Sequence, residues 1–205
     1  MKNEKTVNPA TDTKVVIKDV VVSYVHVLKP WSGDNSSEAK YSLVIIIPKS
    51  RKDLIGQIKT AINNAYHKGV TDVWAGKAPA VATLKHPLRD GDVERPEDPV
   101  FKDSFFINAN SKTRPGIIDL QRRDLTEPGL EEEVYSGMIA HVSTNLYAYD
   151  AKGNRGIACG LNNICKVKDG TFLGGRSSAE TDFADFLTGA NEGAAGDEGN
   201  NDIFG

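Results

Sequence analysis

No stretch of this 205-residue sequence is apolar for long enough to cross a bilayer. The longest such run is Leu43–Ile47, against the roughly 20 residues that a spanning helix needs. The opening Met-Lys-Asn-Glu-Lys is charged but no apolar core follows it, so it reads as having no secretory signal, which predicts a cytoplasmic protein with no membrane partner. Cysteine is scarce: Cys159 and Cys165 stand six apart. In one strand that separation puts the Cα atoms too far apart for a disulfide, and the even offset favours one face, so two reduced thiols are expected. The four histidines, His26, His67, His86 and His141, show no ligand spacing with those cysteines, which argues against a zinc site. Asp90, Asp92, Glu94, Glu97 and Asp98 miss the EF-hand spacing, and Arg89 and Arg95 offset their charge; they read as a solvated loop. A phosphate-cradling glycine loop and a nucleophile elbow are both missing. Lys168-Asp169-Gly170 superficially matches the nucleotidyl-transferase lysine motif, without the rest of that set. The expectation is a non-enzyme with no catalytic residue, cofactor or metal.

Basic residues are absent from the last part of the chain. All 25 Lys and Arg lie at or before Arg176, together with 21 of the 28 carboxylates. Residues 1–176 therefore carry +4 and residues 177–205 carry −7, which hides a basic body behind a net charge of −3. The partition removes the objection that an overall acidic chain raises against a nucleic-acid partner.

The body reads as mainly β. Residues 1–12 are polar and predicted to fray. Thr13–Leu28, dominated by valine, reads as a long bent strand. Lys29–Asn35 is turn chemistry, and Tyr41–Ile47, apolar on both faces, is a central strand ended by Pro48. A helix follows, with Ser50 as N-cap, Asp53 as its capping-box partner, and Gly69 as the terminating glycine. Leu54, Ile55, Ile58, Ala61, Ile62, Ala65 and Tyr66 share one face. Residues 70–103, with Pro79, Pro87, Pro96 and Pro99, form a long irregular insertion, and loops of that length are usually functional. Strands are expected at Ser104–Ala109, Gly116–Leu120, Glu133–Tyr149 and Asn154–Lys168, the last two joined by the turn Asp150–Gly153. Unequal, mostly antiparallel strands with one helix across them suit an OB-fold-like Greek-key barrel. Ser177–Leu187, with Phe183, Phe186 and Leu187, forms a docking helix in this reading. Residues 188–205 are too polar to build a core and are expected to be disordered.

Stacking platforms with adjacent cations are what a single strand of nucleic acid needs. In the predicted strand ending at Tyr149, His141, Ser143, Asn145, Tyr147 and Tyr149 share one face. Ala140, Val142, Thr144, Leu146 and Ala148 share the other, which has the character of core. Tyr147 and Tyr149 thus become candidate platforms, with Lys152 and Arg155 beside them, or else pack against a loop. Trp31 with Lys29, and Lys40 with Tyr41, bracket the first inter-strand loop, one that OB-folds use for ligands. Trp74 with Lys77, Lys85 and Arg89 repeats the pairing in the insertion, and Lys112, Arg114, Arg122 and Arg123 supply basic loops. Each tryptophan could instead fill a hydrophobic gap. Asp197, Glu198, Asp202, Ile203 and Phe204 form an acidic, apolar-tipped segment suited to partner binding, although Gly205 follows the aromatic.

Several short motifs carry a family resemblance. Glu133-Val-Tyr-Ser-Gly-Met, Asn145-Leu-Tyr-Ala-Tyr-Asp, Gly153-Asn-Arg-Gly-Ile-Ala and Gly160-Leu161 resemble a group of phage-encoded proteins. Those were first catalogued as a domain of unknown function and are regarded as OB-fold single-stranded DNA-binding proteins. Pro48-Lys49, Pro87–Asp92, Phe106–Ala109, Asp169-Gly170 and Gly174-Gly175 extend the resemblance across residues 13–176, the expected binding domain. It implies a sequence-tolerant protein that coats single-stranded DNA in phage replication or recombination within the host cell. The tail would recruit phage or host replication proteins and compete with DNA; a homodimer is compatible with this reading. The alternatives are a virion assembly protein using the β-body for protein contacts and, third, a metal-dependent nuclease built on the acidic loop.

Overall fold

The computed structural model describes residues 12–32 and 38–174. Strand β1 (Lys14–Trp31) is valine-rich, and its Val15, Ile17, Val20, Val22 and Val27 enter the core. It bends twice. Asp19 and Tyr24 adopt left-handed backbone at φ 53° and 48°, each at a shift of register. Such bulges swing a strand from one partner to the next. The first half of β1 pairs with β6 (Ile139–Ala151) and the second with β2 (Lys40–Pro48), both antiparallel.

In β2, Leu43, Ile45 and Ile47 face the main core, whereas Val44 and Ile46 join Phe101 and Phe106 in a second cluster on the outer surface. That two-sided burial is why five apolar residues run consecutively. Strand β4 (Ser104–Ser111) pairs antiparallel with β2 and parallel with β7 (Asn154–Lys168). The parallel pairing, Ala109 opposite Cys159 and Asn110 opposite Gly160, closes a five-strand barrel in the order β1-β2-β4-β7-β6. The two-residue strand β3 (Arg89–Asp90) extends β4, and β5 (Gly116–Asp119) runs parallel to β7. The fold is the expected OB-fold-like barrel, with two parallel pairings in a mainly antiparallel sheet.

Helix α1 (Lys52–Asp72) packs on β6, β1 and β7, burying Leu54, Ile55, Ile58, Ala61 and Ala65. Both expected ends are corrected. Arg51 occupies the N-cap without a side-chain bond, Ser50 lying one residue outside, and the helix runs three residues past Gly69. A Cβ at Gly69 would sit 2.3 Å from the Ala148 Cβ and 3.2 Å from the Trp74 ring. This glycine permits close helix–strand approach rather than terminating the helix.

The insertion has more structure than expected: 3₁₀ turns at Val81–Thr83 and Pro99–Phe101 flank β3 and the one-turn α2 (Gly91–Glu94). Lys49 clips it to the barrel, its Nζ 2.7 Å from Asp90 and 2.6 Å from Asp92. β6 starts at Ile139, not Glu133, because residues 131–133 form a 3₁₀ turn and Val134 and Met138 are buried in the core. The β6–β7 turn contracts to Lys152-Gly153, both at positive φ (53° and 86°), the signature of a two-residue type I′ hairpin. A register shift opposite Ser143/Thr144 separates the cysteines. Cys159 is buried and Cys165 half-buried; both are free, and burial pushes the Cys159 thiol up to about 12. The expectations for residues 1–11 and for 177–205, the docking helix and the acidic tail, lie outside the described residues.

Candidate nucleic-acid interface

The outward residues of three adjacent strands form one continuous face. Register sets His26 of β1 beside Ser42 of β2, and Ser42 beside Asn110 of β4. One row along, Ser23, Val44 and Asn108 align, and beyond them Val21, Ile46 and Phe106. At the first end Trp31, 54% exposed, stacks on His26 with ring centroids 5.1 Å apart and planes 14° apart. One face of the indole is thus supported by protein, which restrains the exposed ring.

Cations gather at this end. Lys29 and Arg114 line a cleft of about 490 Å³ with Val25, His26, Leu28, Glu131 and Val134. Neither makes an ion pair with the described residues, although both charges act on Glu131 in the same cleft and help hold its carboxyl below the ordinary range, after backbone hydrogen bonds. Lys40, at the start of β2, and Lys112, just after β4, converge on Glu38 at 3.8 and 2.7 Å. Lys112 holds the Glu38 carboxyl below its ordinary range, by hydrogen bond first and by charge second. Tyr41, half-buried, pairs with Ser111 and supports the loop.

The β6–β7 hairpin forms a separate group. Alternation along β6 is as expected: Ala140, Val142, Thr144 and Leu146 are buried, and the Thr144 hydroxyl donates to the Val15 carbonyl at 3.1 Å. Tyr147 is 42% exposed and its ring lies against Gly160, where a Cβ would be 3.5 Å away. Because β4 and β7 run parallel, this hairpin lies toward the start of β4 and Lys112 beyond its end. At about 3.3 Å per residue, seven register positions separate Lys112 from Arg155 by about 23 Å along the strands. Lys85 is joined to the hairpin through Arg155 and Ile157 backbone bonds. Lys77, Lys85 and Lys152 are exposed without an ion pair to the described residues, while Arg155 is tied to Asp150 at 2.7 Å.

Four expected binding residues are redirected by their surroundings. Trp74 is 3% exposed, packed on Tyr66 at 5.6 Å and donating from Nε1 to the Tyr149 carbonyl at 3.3 Å. Its ring is core, a correction to its reading as a platform. Tyr149 is half-buried in the same corner. Arg89 pairs with Glu94, its guanidinium 4.7 Å from the Phe106 ring. Arg123 bonds Asp119 at 2.6 Å and approaches Glu133 at 3.6 Å, while Arg122 is exposed beside it at φ 67°.

That last corner is internally neutralised. Lys166, 6% exposed, sits 2.7 Å from both Glu133 and Asp169. Burial opposes its charge, but the hydrogen bonds it donates to Asp169 and Glu133 prevail and raise its pKa. Lys166 in turn holds both carboxyls below their ordinary range. Lys168-Asp169-Gly170 is thereby the tied-down end of β7, also bonded by Tyr135. The acidic loop is likewise committed, Asp90 and Asp92 to Lys49. Among the described residues no three of His, Cys, Asp and Glu gather as a ligand set, and no helix is long and apolar enough to cross a membrane.

Sequence reasoning missed Tyr24, Arg95, Asn108 and Asn110. Tyr24 is 48% exposed on the outer face, with the Arg95 guanidinium 5.1 Å from its ring. Alternation along β4 would have exposed the two asparagines; the bulge that turns Tyr24 outward has no local sequence signal.

Comparison with known proteins finds a family and several relatives of the same fold. The family model described as the single-stranded-DNA-binding protein of Enterobacter phage Enc34 matches residues 13–195. Protein p50 of Acyrthosiphon pisum secondary endosymbiont phage 1 is 27% identical over 180 residues, 84% of this chain and 93% of its own. The bacteriophage Enc34 single-stranded DNA-binding protein, solved in complex with ssDNA, matches at a TM-score of 0.67 and 27% identity, covering 79% of this chain and 90% of that one. The gp2.5 single-stranded DNA-binding protein of bacteriophage T7, 15% identical, matches at 0.53 over 89% and 98% and shares the fold alone.

Proposed function

This chain belongs to the Enterobacter phage Enc34 ssDNA-binding protein family, and from that premise we propose that it is a sequence-tolerant single-stranded DNA-binding protein that coats exposed strands during phage replication or recombination. The observation that carries the reading is the outer β1–β2–β4 face, with Trp31 stacked on His26 and, beside it, Lys29 and Arg114, which form no ion pair with the described residues. Every base has a π-face, so such a platform is indifferent to sequence and contributes about 1–3 kcal/mol per stacked base. Phosphate neutralisation adds a salt-dependent term of about 0.7 in log K per log salt for each phosphate engaged on single strands. The 23 Å between the loop and hairpin groups suits an OB-fold site of about 4–16 nucleotides.

The acidic segment adds regulation. Residues 177–205 carry −7 with no cation, so they compete electrostatically for a basic groove. When DNA displaces them, Ile203 and Phe204 become available to a phage or host replication protein. The proposed site of action is the host cytoplasm.

The test is an anisotropy titration of a labelled oligonucleotide, single-stranded against a duplex of equal length, with and without magnesium. Tighter binding of the single strand with no cleavage is the expected result; equal affinity for duplex overturns the reading, and cleavage supports a nuclease instead. Deleting residues 188–205 should tighten binding at low salt, and unchanged affinity would remove the competition model while leaving the binding function intact.

A further inference from the structure

Among the described residues Arg95 has no protein anion. Its guanidinium lies 4.6 Å from the Phe101 ring centroid, 5.1 Å from that of Tyr24 and 5.3 Å from that of Phe106. The residue is half-buried, yet among the described residues nothing pairs with it or accepts a hydrogen bond from its side chain. Arg89, Arg123 and Arg155 each hold a carboxylate. A guanidinium stacked on aromatic faces keeps its five N–H donors around the rim of its plane, preordered for a bidentate acceptor.

The carboxylates close by in sequence are occupied. Asp90 and Asp92 bind Lys49, Glu94 binds Arg89, and Asp98 accepts from the Val100 N–H. Glu97, exposed, is the nearest in sequence without such a partner.

Tyr24 is the second, independent feature. Left-handed backbone is strained for a residue with a side chain, and Tyr24 adopts it at φ 48° within the β1 bulge. The consequence is a large ring 48% exposed on the outer face, beside Arg95. Tyr24 falls in the bulge between the Ser23–Val44 and His26–Ser42 rows of the face that carries Trp31, and Arg95 lies against it from beside Phe106.

We infer that Arg95 and Tyr24 form a second nucleotide-binding station, with a backbone phosphate held by the Arg95 fork and the adjacent base stacked on the Tyr24 ring. Lys49 positions it by clipping residues 90–92 to the barrel. The inference rests on the proposed single-strand binding and extends it to a site outside the loop and hairpin groups.

The experiment is an anisotropy titration of a fluorescent oligothymidylate with the full chain across a salt series, each variant also melted thermally. Arg95→Gln should weaken binding about tenfold and reduce the log–log salt slope by about 0.7, the share of one neutralised phosphate. Tyr24→Asn keeps a residue suited to positive φ and should weaken binding about 5- to 150-fold with the slope unchanged. Glu97→Gln should tighten binding. Arg95→Lys retains the charge and should bind between wild type and Arg95→Gln; it decides the matter if Arg95→Gln melts early. Wild-type affinity and slope in the Arg95 and Tyr24 variants, with Trp31→Ala still impaired, overturn this station and leave the proposed function standing. A wild-type protein that fails to prefer single strands overturns both.

Discussion

The barrel end under α1 and the outer face of β1, β2 and β4 hold one tryptophan each, and each has a lysine nearby in sequence. Trp74 is sealed between Tyr66, Gly69 and the Tyr149 carbonyl. Trp31 leans on His26 with its other side open. Each fate follows from what the surrounding backbone does. α1 comes close enough to β6 that only glycine fits at position 69, and a ring at the helix end fills the remaining space. Trp31 ends β1 opposite Lys40, and among the described residues only the His26 ring stacks on it. Aromatic content therefore says little about binding until the layer on each side of the ring is known.

The sharpest way to separate the two regions is to delete both rings. Trp74→Ala should cost about 3–5 kcal/mol of stability, read by denaturant unfolding, with the affinity of the folded fraction unchanged. Gly69→Ala should cost about 1–3 kcal/mol by overpacking against Ala148 without altering DNA binding. Trp31→Ala should do the reverse, leaving the melting temperature in place while losing about 1–3 kcal/mol of binding energy. If Trp31→Ala unfolds the protein or Trp74→Ala releases DNA, the division between the regions is wrong. Replacing Lys29 and Arg114 by Gln should reduce the log–log salt slope by about 0.7 for each phosphate left unneutralised, whereas Arg123→Gln, whose partner is Asp119, should leave the slope unchanged.

The smallest effect concerns pH. Glu133 and Asp169 are held below their ordinary range by Lys166. Their contribution is therefore fully present above the unfolded carboxylate pKa of about 4 and is lost as pH falls through the lower folded values. Lys166 is raised, so its share is present at neutral pH and disappears as pH rises above about 10. Thermal melts of Lys166→Met should show a flatter acid limb than wild type, and an unchanged limb would mean that the corner is uncoupled from unfolding.

Much of the fold was legible because it is written in local periodicity. Asn154–Lys168 is a strand with the bounds expected of it, and the buried row Ala140, Val142, Thr144 and Leu146 is the one alternation selected. The helix face was legible for the same reason, but its ends were not. Ser50 and Gly69 have the chemistry of caps, and packing against Ala148 overrode Gly69. The site was legible in part. Trp31, Lys29 and Arg114 converge as the loop chemistry suggested, while five of the candidate cations, Lys40, Arg89, Lys112, Arg123 and Arg155, are engaged by carboxylates. Of these, Lys112 reaches a carboxylate 74 positions away, Glu38, whereas the other four join residues two to five positions apart and turn on the local backbone shape.

The sequence by itself determined the charge partition, the strand and helix periods, a tight turn within Asp150–Gly153 and the stock of rings and cations, since all of these are local or additive properties. Tertiary structure alone decided which ring is buried, that Lys112 meets Glu38, and that Tyr24 and Arg95, 71 residues apart, meet on one face. The physical reason is that exposure and pairing belong to what lies across a strand or under a helix, and a neighbour in space leaves no periodic trace along the chain.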